Sequence, residues 1–217
     1  MLFRSEQHDD LLAMLMLARD RKTGDAMDER LLLDEVMTLV VAGHETTASA
    51  LSWLWYSLSQ HPHVEQRLHA ELDCLDAPPA DLESLAALPY TRQVIEETLR
   101  LYPPGWLLTR QSIDADEIAG CEVAPDTDIF ICPYIVHRHP AFWADPERFD
   151  PERFSAEASA TRSRYTYLPF ALGPRACIGE HFAMAEMLIH VAMLARHIRL
   201  RYLPTAPVEL QCRINLR

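Results

Sequence analysis

Apolar positions are densest between Leu31 and Leu58, where Leu, Val, Met, Ala and Trp occupy most sides of a helical projection. No charged residue follows Glu45 until Glu65. The first sixty-one residues contain no proline and only two glycines, Gly24 and Gly43. The pattern predicts one long central helix over about 28–60, opened by Asp28, whose carboxylate suits the free N–H groups of a first turn. A helix apolar on most sides belongs inside a core, which is the expectation for Leu39 to Leu58. Upstream, Asp9 to Asp20 reads as an amphipathic helix and Thr23-Gly24-Asp25 as its turn. Downstream come a polar helix at His63 to Leu75, a linker with Pro78-Pro79, and a helix over about 90–101 that Pro103 ends, because proline disfavours helical backbone at the residue before it.

After Gln111 the pattern becomes extended, with short strands over about 117–134. Ile118 to Val123 and Asp128 to Cys132 flank a turn at Pro125. Residues 137–174 are rich in proline and aromatics without sustained periodicity and read as a tethering loop. Helical spacing returns over about 178–198, and Arg201 to Leu216 has the makings of a last hairpin. The expected fold class is mainly α with a small β component, in a single partial domain spanning residues 1–217.

Composition narrows the function. The chain has 217 residues, 49% of them hydrophobic, enough to bury a core. Its formal net charge of -12 and sequence pI of about 5.2 argue against nucleic acid, whose phosphates need a basic face. Five cysteines without a CxxC pair fit neither a disulfide scaffold nor a zinc ribbon, so a reducing, cytoplasmic setting is expected. Asp34, Glu35, His44 and Glu45 interrupt the best apolar run, so no membrane span is expected.

Three segments carry candidate chemistry. In Phe170-Ala171-Leu172-Gly173-Pro174-Arg175-Ala176-Cys177-Ile178-Gly179, a cysteine stands just ahead of a helix, where the positive end of the helix dipole favours a thiolate. Gly173 and Gly179 leave room for backbone or a flat ligand, and Arg175 offers a fixed charge to a ligand carrying carboxylates. In Ala42-Gly43-His44-Glu45-Thr46-Thr47, Gly43 costs roughly 1 kcal/mol against alanine inside a helix, which implies a close approach or a local distortion. Thr46 is placed to bond the Ala42 carbonyl one turn back and leave a polar notch in an apolar wall. Glu97 and Arg100, at i and i+3, share one helix face and taken alone make an ordinary surface pair. His44-Glu45 also begins like the zinc-hydrolase pattern HExxH, but Ala48 stands where the second histidine belongs, leaving that reading remote.

Together these segments resemble the cytochrome P-450 family of haem-thiolate monooxygenases, whose ligand signature is FxxGxRxCxG. The resemblance runs through nearly the whole chain but covers only the family's C-terminal half. It implies a haem b (iron protoporphyrin IX) cofactor, with Cys177 as the metal ligand whose electron donation favours O–O cleavage. Around it, Ala42, Arg110, Pro169, Phe170, Gly173, Arg175, Ile178 and Gly179 are the implied cofactor-binding residues, with Arg175 and Arg110 facing the propionates. Glu45 and Thr46, matching the central-helix motif [AG]Gx[DE]TT, are the implied catalytic residues for proton delivery. Glu97 and Arg100 match ExxR, a buried pair joined by a downstream arginine, Arg153 or its rival Arg148, whose role is to fix the loop carrying Cys177. Pro125-Asp126 departs from the glycine that usually follows this proline. The implied activity is insertion of one oxygen atom from O2 into a small apolar organic substrate, with electrons from a ferredoxin, flavodoxin or reductase. A non-catalytic or poorly haem-binding fragment is the alternative under the same resemblance.

Overall fold

The computed structural model describes residues 10–75, 77, 79, 81–203 and 207–216. The described residues group into two compact units that divide between Glu45 and Thr46. In the first unit, helix α1 (Leu11–Leu17) is capped by Asp10, which accepts the Ala13 N–H at 2.8 Å. It buries none of its residues. Helix α2 (Glu29–Gln60) opens as the sequence predicts, with the Leu31 N–H donating to Asp28 at 2.7 Å.

The expectation that the middle of α2 is enclosed holds only from Thr47 onward. There Thr47, Ala50, Leu51, Trp53, Leu54, Ser57 and Leu58 are buried, whereas Leu33, Met37, Val40 and Val41 stay more than half exposed. The pattern sets which residues can enter a core, but burial needs a facing element, and among the described residues these four stay open. Gly43 is likewise open, since a Cβ built there would meet no atom within 4 Å. No close approach among the described residues therefore accounts for it.

In the second unit, α3 (Pro62–Leu72) and the short α4 (Leu82–Ala86) lead to α5 (Pro89–Leu101). No side chain of the Leu88 cap closes the start of α5. Glu71 of α3 does so instead, its carboxylate accepting the Tyr90 and Thr91 N–H groups at 2.7 and 2.8 Å. Nine of the helix's residues are buried, Tyr90 through Leu101, and it packs on α3, on α8 (Glu180–Ala195) and on the 3₁₀ turn Pro151–Phe154. The core between them is aliphatic, with Val64, Leu68, Val94, Ile95, Leu188 and Val191 almost wholly excluded from water.

Strand content is small but paired differently from the sequence reading. Strand β1 (Leu108–Gln111) runs antiparallel to β4 (Asp128–Ile131), and β2 (Asp116–Ile118) forms a separate hairpin with β3 (Cys121–Val123). The stretch read as one strand from Ile118 to Val123 folds back on itself at Ala119 and Gly120, both left-handed at φ 52° and 83°. That geometry twists with the strands and makes the tight turn. Asp126, φ 59°, adopts the turn backbone usually given to glycine. Helices α6 (Pro133–Val136) and α7 (Ala156–Ala160) punctuate the loop beyond. In place of a C-terminal hairpin the described residues show a single bridge, Cys212 to Leu216. Leu216 is held by Ser49 and Trp53 of α2, which donate to its carbonyl at 2.6 and 3.3 Å.

Candidate functional site

Glu97 and Arg100 are not a surface pair. Both side chains are 0% exposed, and the guanidinium meets the carboxylate side-on, Nε to Oε2 at 2.6 Å and Nη2 to Oε1 at 2.9 Å. Arg100 also donates to the carbonyls of His137 (2.8 Å), Pro146 (2.7 Å) and Arg148 (3.1 Å). All five N–H donors of a guanidinium are thus used. Glu97 in turn accepts the Asp150 N–H at 2.8 Å. Burial pushes its carboxyl above the usual range, against the pull of the Arg100 bonds and charge. Of the two candidate arginines, Arg153 stands 3.5 Å from Glu97 Oε1, while Arg148 points at Asp150, 3.8 Å away. Arg153 also donates to the Asp145 carbonyl at 2.9 Å.

This network ties the irregular 137–154 segment to α5, and a second set of bonds carries the tie onward. Trp143, 3% exposed, donates its indole N–H to the Thr166 carbonyl at 3.3 Å. Tyr167 donates to the Glu96 carbonyl at 3.0 Å. His137, fully buried, accepts the Leu168 N–H on Nε2 at 2.9 Å. No motif in the sequence singles out His137. It lies in a stretch without periodicity, and a histidine there carries no positional signal.

Beyond Leu168 the chain emerges. Phe170 packs half-buried against the core, and its carbonyl accepts the Cys177 N–H at 2.8 Å, closing residues 170–177 into a loop. Inside it a 3₁₀ turn (Gly173–Arg175) starts from Gly173 at φ 75°, and Ala171 is left-handed at φ 59°. Gly179 caps α8, and a Cβ on it would stand 3.8 Å from the Cys177 sulfur. The thiol therefore sits beside the helix start with its own face exposed. Around it are a broad apolar surface, Ile178 at 93% and Phe182 at 74% exposed, and the exposed Arg175. Arg110 lies on exposed β1, with its guanidinium turned back to the Thr109 carbonyl at 2.7 Å. Pro169 lies beside Phe170 along a small cleft that also includes Arg92, Glu96 and Glu180. Ala42 and Glu45 are exposed in the first unit, and Thr46, half-buried, opens the second.

Among the described residues no three His, Cys, Asp or Glu side chains stand close enough to hold a metal ion, so the remote zinc-hydrolase site is not assembled. A lone exposed thiol amid Ile178, Phe182 and a glycine without a Cβ is a donor set that suits a metal already held by a flat apolar macrocycle. The residues present fit haem. Nor does any helix among the described residues have the length and apolarity to cross a membrane.

Comparison with known proteins gives one consistent picture. The sequence profile described as cytochrome P450 matches residues 2–213. Cyclooctatin synthase of Streptomyces melanosporofaciens is 40% identical over 208 residues, covering 95% of this chain and 45% of that protein. Cyclooctat-9-en-7-ol 5-monooxygenase of the same organism is 42% identical over 198 residues, covering 91% and 43%. Pentalenene oxygenase of Streptomyces avermitilis is 36% identical, covering 94% and 45%. A cytochrome P-450 crystal structure superposes on the whole chain with a TM-score of 0.91 at 31% identity, over 50% of its own length. The chain thus spans about half the length of the proteins it matches.

Proposed function

This chain belongs to the cytochrome P-450 family, and we propose that it is the haem-binding part of a monooxygenase that places one oxygen atom from O2 into a small apolar organic substrate. The observation that carries the reading is the Cys177 loop, an exposed thiol at the start of α8 whose backbone closes on Phe170 and is anchored from behind by the buried bond of Leu168 to His137. When bound, haem b supplies the redox-active iron that activates dioxygen.

The chain's own residues do the rest. Cys177 provides the sulfur ligand from its place at the start of α8. Arg175 and Arg110 take the propionates as charge-assisted partners. Phe170, Pro169, Ile178 and Gly179 surround the sulfur and let the flat ring lie close, while Gly173 sets the turn that presents it. Ala42 belongs to the ring-lining set, and Glu45 and Thr46, consecutive on α2, carry protons. Glu97, Arg100 and Arg153 do no chemistry and hold the loop in place. Electrons come from a ferredoxin, a flavodoxin or a reductase, and the setting is cytoplasmic. Support for such a substrate comes from the similarity to cyclooctat-9-en-7-ol 5-monooxygenase and pentalenene oxygenase.

The test is the difference spectrum of reduced, carbon-monoxide-treated protein supplied with haem. A long-wavelength Soret band of thiolate-ligated haem is expected, lost in Cys177→Ala. A free-haem spectrum from the wild type overturns the reading, and a thiolate band without turnover favours a haem-binding chain without catalysis.

A further inference from the structure

We infer that His137 is a positioning residue for the Cys177 loop, clamping it to the C-terminal end of α5 as a single Nδ1–H tautomer with both ring nitrogens engaged. The inference rests on the reading of Cys177 as the haem ligand. Four observations carry it. First, His137 is 0% exposed at the C-terminal cap of α6, where its N–H donates to the Pro133 carbonyl at 2.8 Å and its ring is turned into the interior. Second, the Leu168 N–H points at Nε2 from 2.9 Å. A backbone N–H can only donate, so Nε2 must be the acceptor and the ring proton must sit on Nδ1. Third, Nδ1 lies 3.1 Å from the Arg100 carbonyl, one of the last carbonyls of α5 and without a helical partner of its own. The exchange is reciprocal, since the Arg100 guanidinium donates to the His137 carbonyl at 2.8 Å. Fourth, Leu168 is two residues from Phe170, whose carbonyl closes the loop on the Cys177 N–H.

The route from the buried pair to the sulfur is therefore short and continuous. Arg100 fixes His137, His137 fixes Leu168, and Leu168 sets where the closure of residues 170–177 sits. The Tyr167 ring lies tilted against the imidazole at 5.3 Å and 34° and is itself bonded to Glu96, and a turned-over imidazole would lose both of its hydrogen-bond partners. The groups facing it agree with a neutral ring. Burial, with the Arg100 and Arg138 guanidiniums beside it, lowers its pKa to about 3, and the Tyr167 ring lies against it. A second proton would place an N–H against the Leu168 N–H and open the clamp.

Three variants dissect the two bonds. In shape, an asparagine amide reaches about where Nδ1 stands and a glutamine amide about where Nε2 stands. His137→Asn thus keeps the tie to Arg100 and loses Leu168. His137→Gln keeps the acceptor for Leu168, and His137→Phe keeps only the ring contact with Tyr167.

Hydrogen exchange in the full chain is read at the Leu168 and Cys177 amides, relative to the amides of α3. Loss of one such bond opens a segment by roughly 5–10-fold, so Phe and Asn should speed both amides by about that factor while Gln stays within about 2-fold of wild type. Ring ¹⁵N shifts of His137 should show the Nδ1–H tautomer. In haem-loaded protein the thiolate-type carbon-monoxide band should shrink in Phe and Asn and recover in Gln.

Unchanged exchange in a folded Phe variant, Asn protecting as well as Gln, or an Nε2–H tautomer each overturns the inference. If the Phe variant does not fold, the Gln and Asn contrast decides alone. A wild type lacking the thiolate band, with exchange and tautomer as expected, refutes the haem reading and leaves the clamp standing.

Discussion

Replacing Arg100 with methionine removes a side chain of similar length that uses all five of its donors inside the protein. Two separate losses follow. The Glu97 carboxylate, 0% exposed, is left with the Asp150 N–H and the more distant Arg153, and an uncompensated buried charge costs about 3–5 kcal/mol. The carbonyls of His137, Pro146 and Arg148 lose their donor at about 1–3 kcal/mol for each that water cannot reach. Neighbouring losses do not add in full, so the expected destabilisation is roughly 4–7 kcal/mol, comparable to the whole stability of many domains.

Two companion variants separate the losses. Arg100→Lys keeps the charge and up to three donors and should lose only about 1–3 kcal/mol. Glu97→Leu with Arg100→Met removes the stranded charge and should regain about 2 kcal/mol or more over Arg100→Met alone. Urea unfolding followed by tryptophan fluorescence measures the series, because Trp143 lies 5.1 Å from the guanidinium and reports on the site. Arg100→Met within about 1 kcal/mol of wild type, or no less stable than the double variant, would refute the argument that buried charge and orphaned carbonyls dominate here.

A pH dependence follows from His137, whose folded-state pKa of about 3 lies below its ordinary 6.5. As pH falls the unfolded chain takes the proton first, so the His137 contribution is complete above about pH 6.5 and is lost toward about pH 3, at roughly 1.4 kcal/mol per pH unit. Between pH 7 and 5 the wild type should lose about 2 kcal/mol more than His137→Gln in urea midpoints converted to free energy, and parallel pH curves would contradict this. Gly173→Ala isolates backbone strain, since φ is 75° and the added Cβ meets nothing within 4 Å. It should cost about 1 kcal/mol, felt as faster exchange at Ala176 and Cys177 and not in α3, and equal rates throughout would show that the turn tolerates alanine.

Elements bounded by local chemistry were legible from the sequence. The prolines at 89 and 103 bracket α5, and Asp28 opens α2 by bonding within three residues. Features that depend on a distant partner were not. The start of α5 is capped from Glu71, eighteen residues upstream of Pro89, and β1 finds β4 across an intervening hairpin. The left-handed backbone at Ala119, which divides an apparent strand, runs against alanine's own preference and left no mark in the pattern. The first half of α2 carried the same apolar signal as the second yet stays exposed, because periodicity records what a residue can bury and not what arrives to cover it. At the candidate site the motifs marked Cys177, Glu97 and Arg100, whereas His137, which links them, works through backbone groups that any residue supplies.

That division has a physical reason. A thiol meant to meet a ligand has to be exposed, so the residues around Cys177 cannot hold it by burial. Order must then come from behind, through groups with no low-energy alternative. Arg100 has no unused donor and the two ring nitrogens of His137 have no unused valence. If the loop shifted, Leu168 would leave Nε2 bare and buried, and the displaced 137–148 carbonyls would strand N–H groups on a guanidinium that water cannot reach, each at about 1–3 kcal/mol. The eight-residue loop 170–177 would recover its full conformational entropy only if each of its residues could move independently. Here they cannot, because the Cys177 N–H closes on Phe170 and the loop is anchored at both ends, by Leu168 and by the start of α8.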